Sequence, residues 1–228
     1  MNIAIVPARA GSKRIPKKNI KPFLGRPIIE YSIEIAMKSN LFDKVVVSTD
    51  DDDIARVAIE QGAEVPFIRP KELSDDFSGT HEVVGHAVKW LEDNGRKIDY
   101  VCCIYATAPF IQIDDLKKGF ELIQTGKWDS IIAATNFSYP VFRSFHKIDS
   151  GGIKMLFPEH YTTRSQDLPE VFHDAGQFYW ASSKVWKEKP QGFNERSSIV
   201  HLPNWRVQDI DTLDDWIRAE RIYESLQP

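Results

Sequence analysis

Thirteen residues near the start of the chain, Pro7-Ala8-Arg9-Ala10-Gly11-Ser12-Lys13-Arg14-Ile15-Pro16-Lys17-Lys18-Asn19, bring cations, a glycine and a hydroxyl together in one short stretch. Such a stretch can hold a polyphosphate. Gly11 lets the backbone come close to an anion, Ser12 and the neighbouring N–H groups can donate to phosphate oxygens, and Arg9, Lys13 and Lys18 can neutralise a triphosphate. The spacing matches neither a Walker A loop nor Gly-x-Gly-x-x-Gly, so this is a phosphate loop of another kind. A solvated basic loop, with Pro and Gly as turn formers, is the competing account. The position directly after a strand favours the phosphate reading.

A second set lies near the other end, in Gln208-Asp209-Ile210-Asp211-Thr212. In extended chain, residues i and i+2 point the same way, so Asp209 and Asp211 can offer two carboxylates to one hard cation while Ile210 turns inward. Mg2+ suits such a pair, because it takes few protein carboxylates and completes its shell with water and substrate phosphates. The alternative is that both acids simply decorate a helix N-terminus, where negative charge is favoured. No histidine is compelling as a proton acceptor, and the adjacent Cys102 and Cys103 read as small core residues.

Charge is unevenly distributed. Residues 1–29 hold seven of the 29 Lys and Arg and no acid, leaving 22 basic against 33 acidic residues in the rest of the chain. A short cationic segment on an acidic body fits a localised anion site and excludes the broad basic face that duplex nucleic acid needs. Single-stranded nucleic acid is also disfavoured, because the basic segment holds only one aromatic, Phe23, before Tyr31. The longest apolar runs, 100–106 and 131–134, are far short of the roughly 20 residues that span a bilayer. The first residues lack the basic and apolar regions of a secretory signal, so the expected location is cytoplasmic.

The elements that must position these residues follow from periodicity. Residues 3–6, 44–48, 63–68, 100–105 and 130–134 read as strands, and 27–38, 51–61, 81–94 and 114–124 as the helices between them. Gly62 closes the second helix, and Thr212 with Asp215 forms a capping box for the last one. Strands alternating with helices predict an α/β fold, a mainly parallel sheet with helices on both faces and ligands at the strands' carboxyl ends. From about 136 to 174 the alternation stops around a turn at Asp149-Ser150-Gly151-Gly152. This predicts a single domain, 1–228, with an inserted β-rich arm whose apolar residues are too few for a core of their own and pack on a second subunit as a homodimer. Residues 177–180 read as a return to strand.

Together the motifs resemble those of the CMP-sugar synthetases, the acylneuraminate cytidylyltransferase family. The 7–19 loop, Val47-Ser48-Thr49-Asp50, Arg69-Pro70-Lys71-Glu72-Leu73, Thr107-Ala108-Pro109 and Asp209-Ile210-Asp211-Thr212 follow in the family's order over nearly the whole chain. The resemblance implies a Rossmann-like nucleotidyltransferase that joins CMP, from CTP, to a nine-carbon keto sugar acid. It also implies that Arg9, Gly11, Ser12, Lys13, Lys18 and Asn19 contact CTP, with Arg69 and Thr80 near the nucleotide, Lys18 and Arg9 acting in catalysis, and Asp209 and Asp211 holding Mg2+.

The sugar side departs from the sialate branch. Tyr105 stands where a glutamine is expected, and Ala175-Gly176-Gln177, after His173-Asp174, stands in place of Asn-Gly-Ala. These segments, with Thr163-Arg164-Ser165-Gln166-Asp167-Leu168-Pro169, look most like the branch that acts on pseudaminic acid. The resemblance thus places Tyr105, Gln166, His173, Gln177 and Tyr179 on the sugar. A phenol in place of an amide suits a sugar with an apolar deoxy terminus. Sialate and legionaminate synthetases, or a nucleotide-binding module without catalysis, are the alternatives.

Overall fold

The computed structural model describes residues 1–188 and 192–226. In chain order, β1 (Asn2–Pro7) leads through the cationic loop to a small hairpin, β2 (Pro22–Phe23) and β3 (Arg26–Pro27), and then to α1 (Ile28–Lys38). Next come β4 (Lys44–Ser48), α2 (Asp52–Glu60), α3 (Thr80–Asp93), β5 (Tyr100–Ile104), α4 (Ile113–Gln124) and β6 (Ser130–Asn136). The arm holds β7 (Phe145–Lys147) and β8 (Ile153–Met155), after which β9 (Phe172–Ser182), α5 (Ser183–Glu188), β10 (Ser197–His201) and α6 (Leu213–Ser225) complete the described fold.

Six strands form one sheet in the order β10-β6-β9-β5-β1-β4. Pairings of β1 with β4 and β5, and of β6 with β10, are parallel, whereas β9 runs antiparallel between β5 and β6. The central strands are apolar on both sides, as burial between two helical layers demands. On one face Ile29 and Ile33 of α1, Ile54 of α2 and Leu116 of α4 pack with Val47, Ile104 and Trp180. On the other, Val84, Val88 and Leu91 of α3 and Trp186 of α5 cover Ile3, Ile5 and Val101. A third cluster seats α6, through Trp216 and Ala219, against Phe23, Ile28 and Ile210.

The expected α/β class is thus observed, with three differences of detail. Residues 63–68 make only isolated bridges, Val46 with Glu64 and Thr49 with Ile68, because Pro66 between them has no N–H to donate. The sequence pattern predicts none of the β2–β3 hairpin, α5 and β10, since all are short and weakly periodic. The arm is less β-rich than expected. Its only strands are the three-residue pair β7 and β8, closed by the turn where the Ile148 N–H donates to the Gly152 carbonyl at 3.0 Å, and 172–174 belong to β9 of the main sheet. Pro140, Pro158 and Pro169 interrupt the rest.

Candidate active site

Apolar β1 ends at Pro7, and the chain emerges at the carboxyl edge of the sheet as the cationic loop. Two hydrogen bonds shape it: the Ala10 N–H donates to Asp50 Oδ1, and Asn19 Nδ2 donates to the Arg9 carbonyl, each at 2.9 Å. The first ties the loop to the end of β4, and the second folds it back on itself. A cleft of about 640 Å³ opens over it. All eight residues expected at the nucleotide line this cleft: Arg9, Gly11, Ser12, Lys13, Lys18 and Asn19 from the loop, Arg69 from the 63–70 segment and Thr80 from the start of α3.

Arg69 is the most buried cation among them, at 4% exposure. Its guanidinium donates to Ser48 Oγ at 3.1 Å and to the Ser48 and Leu73 carbonyls, all neutral acceptors. Burial, with Arg9 nearby, lowers its pKa to about 10, so it stays charged at neutral pH and directs positive potential into the cleft. Arg9 and Lys13 converge on Asp76 at 2.7 and 2.5 Å, and Lys13, then Arg9, holds that carboxyl below the usual range. Asp76 shows where these two cations meet an anion. The sequence offered no sign of it, because it lies more than 60 residues away on an irregular loop.

The acidic segment crosses the same cleft. Ile210 is buried as expected, and Asp211 lines the cleft, accepting from Arg14 at 2.9 Å and lying 3.5 Å from Lys18 Nζ. Lys18 also donates to the Ile210 carbonyl at 2.7 Å. The capping box holds the segment in place: Thr212 Oγ1 accepts from the Asp215 N–H at 3.2 Å, and Asp215 Oδ2 accepts from the Asp211 and Thr212 N–H groups at 3.2 and 2.9 Å. Asp209 lies outside the cleft lining. Desolvation, then the charge on Asp211, raises its carboxyl above the usual range, with Lys18 opposing. Among the described residues no cluster of three or more His, Cys, Asp or Glu is arranged for a metal. The neighbouring Asp209 and Asp211 carboxylates are nevertheless the donor type that a hard cation with few protein ligands takes.

A smaller cavity of about 240 Å³ adjoins the cleft, with Thr80 and Tyr105 lining both. Its walls are largely aromatic and aliphatic, including Ile132, Tyr179, Trp186 and Phe193. Tyr105 and Tyr179 of the expected sugar residues therefore meet here. The other three do not. His173 lies in an adjoining groove that shares Ile132, Asp174 and Phe193 with this cavity, its ring 4.8 Å from that of Phe137, and exposed Gln166 lies on the arm. Gln177 is buried at 3% exposure, where its Nε2 donates to the Arg206 carbonyl at 2.7 Å. Arg206 in turn forms a buried ion pair with Asp115 at 2.6 Å, which anchors the approach to Asp209 and Asp211. Cys102 and Cys103 are fully buried and free, with burial pushing both thiols up, as core residues would be.

A basic loop after the first strand, a buried arginine behind it and Asp211 across the cleft make up the site of an α/β nucleotidyltransferase. The cytidylyltransferase family model matches residues 3–191, and the chain belongs to that family. It is 45% identical over 223 residues to the pseudaminic acid cytidylyltransferase of Campylobacter jejuni serotype O:2, covering 98% of this chain and 96% of that one. It is 32% identical to the CMP-N,N'-diacetyllegionaminic acid synthase of Legionella pneumophila, over 99% and 97% of the two chains. Among solved structures, a CMP:2-keto-3-deoxy-manno-octonic acid synthetase complexed with CTP shares the fold with a TM-score of 0.73 at 14% identity, over 99% of each chain.

Proposed function

We propose that this enzyme activates a nonulosonic acid, with pseudaminic acid the best fit, by transferring CMP from CTP and releasing pyrophosphate. The observation that carries the reading is the convergence of Arg9, Lys13, Lys18 and Arg69 in one cleft that communicates, past Thr80 and Tyr105, with a smaller cavity of apolar walls. The similarity to an enzyme named for pseudaminic acid supports the choice of sugar. The anomeric hydroxyl attacks the α-phosphorus of CTP in line. Alignment by the two cavities and charge neutralisation by the cations lower the barrier. Asp209 and Asp211 would hold Mg2+, which supplies charge stabilisation on phosphate oxygens.

Pyrophosphate release from each nucleoside triphosphate, with a panel of keto sugar acids, tests the reading. Release is expected with CTP and a nonulosonic acid only; CTP binding without release identifies a nucleotide-binding module instead. Between sugars, kcat/KM for pseudaminic acid is expected to exceed that for sialic acid by about 10- to 200-fold, the range typical of one apolar group in a fitted pocket. A ratio at or below one favours a sialate or legionaminate synthetase.

The arm supports a homodimer. Tyr139, Phe145, Ile153 and Tyr161 are 59–83% exposed on it, a density of apolar surface that suits burial against a second copy. Sedimentation equilibrium at micromolar concentration is expected to give twice the 26.1 kDa chain mass. A 26.1 kDa particle rejects the dimer. No helix among the described residues is long and apolar enough to cross a membrane.

A further inference from the structure

Just before α3 the chain turns tightly on Asp75, whose Oδ1 accepts from the Phe77 and Ser78 N–H groups at 3.0 and 2.7 Å and from Ser78 Oγ at 2.7 Å. Such a turn keeps its own shape. Phe77, its one large apolar side chain, is 93% exposed, so nothing in the loop is rooted in the core. Among the described residues, the only hydrogen bonds and ion pairs that 75–78 make beyond 72–78 come from two cations of the phosphate loop. Arg9 Nη1 donates to the Asp75 carbonyl at 2.6 Å and to Asp76 Oδ1 at 2.7 Å, and Lys13 Nζ donates to Asp76 Oδ2 at 2.5 Å. A preformed turn is thus held over the nucleotide cleft by charge alone, with Asp76 in the cleft lining.

The two cations are those expected on the triphosphate. Asp76 takes from Arg9 and Lys13 donors that a phosphate oxygen would use, and its negative charge opposes a second anion brought beside it. Arg69 differs, because its guanidinium has only neutral acceptors and keeps the cleft attractive to a polyanion while Asp76 is in place. A triphosphate carries several charges against the single charge of one carboxylate, so it wins the contest for Arg9 and Lys13. We infer that the 75–78 loop is an autoinhibitory latch: Asp76 stands on Arg9 and Lys13 in the manner of a phosphate, and a nucleoside triphosphate or pyrophosphate takes these cations only by displacing it, so the loop leaves the cleft as the polyanion binds. This rests on the reading of Arg9 and Lys13 as triphosphate ligands above.

Titration calorimetry of the wild type, Asp76→Asn and Asp76→Ala with CTP, and separately with inorganic pyrophosphate, tests it. Both variants are expected to bind each polyanion about three- to tenfold more tightly, the scale of two exposed ion pairs that no longer have to be broken. Hydrogen exchange at residues 74–79 gives the second reading. Adding CTP to the wild type is expected to speed exchange there to the level that Asp76→Asn shows without nucleotide, because the loop is released in both cases. Polyanion binding that weakens or does not change in the variants makes Asp76 a positioning residue or a bystander and overturns the latch. Tighter binding combined with exchange that CTP leaves unchanged or slows is a bare charge effect, which overturns it as well. Failure of the triphosphate reading looks different: neither the wild type nor the variants then bind either polyanion, and the latch falls with it.

Discussion

Replacing Lys18 by alanine is expected to lower turnover by about 10²- to 10³-fold, the usual cost of removing one preorganised charged contact to a transition state. Lys18 sits between the two halves of the site. Its ammonium donates to the Ile210 carbonyl at 2.7 Å and lies 3.5 Å from Asp211, while its stem belongs to the loop that carries Arg9 and Lys13. The substitution therefore removes a cation from the cleft and also unties the acidic segment from the loop. Circular dichroism should be unchanged, since no core residue is touched. Single-turnover measurement with saturating CTP and sugar acid checks the chemical step directly, and a variant retaining more than half of the wild-type rate excludes Lys18 from the mechanism.

The second large effect is expected from the acidic pair. Asp209→Asn and Asp211→Asn each delete one charge at nearly constant shape, so the Mg2+ concentration for half-maximal rate should rise at least about tenfold, within the 10- to 100-fold range seen even when outer-shell partners of a metal are removed. Asp211→Asn should also lower the maximal rate, because Arg14 and Lys18 lose the carboxylate that now holds them. Melting temperature measured against Mg2+ in the presence of CTP gives a reading independent of turnover: the wild type should gain stability with metal and the variants should gain less. A variant that titrates as the wild type does has a carboxylate that only favours the N-terminus of α6.

Much of this site could be read from the sequence because its parts are local. The cationic loop is contiguous and follows an unmistakable buried strand, and the Asp209-Ile210-Asp211 alternation with the Thr212 and Asp215 box fixes its own geometry. Long-range features were not legible. Asp76 meets Arg9 and Lys13 across more than 60 residues of chain, and Phe193 reaches the smaller cavity from a segment with no periodicity. Strand direction leaves no mark in composition, so the antiparallel setting of β9 was invisible. That setting matters, because the kink at Gly176 sends Gln177 into the interior while leaving Tyr179 at the cavity. Pro66 shows the converse: a residue visible in the sequence whose missing N–H reduced an expected strand to two bridges.

The place of β9 in the sheet also constrains how the chain acquires its structure. β5 and β6 are near neighbours in sequence, yet each pairs with β9, whose last residue is Ser182, and not with the other. During synthesis their facing edges stay unsatisfied until the whole arm has left the ribosome and β9 has threaded between them. The two halves of the sheet, β4-β1-β5 and β6-β10, join only through that late strand. Pairings this distant in sequence slow folding, and open apolar edges recruit other chains while they wait. A strand that sets the geometry of the smaller cavity thus also joins the two halves of the sheet, so lesions along it should be felt in the yield of soluble protein before they are felt in its melting temperature.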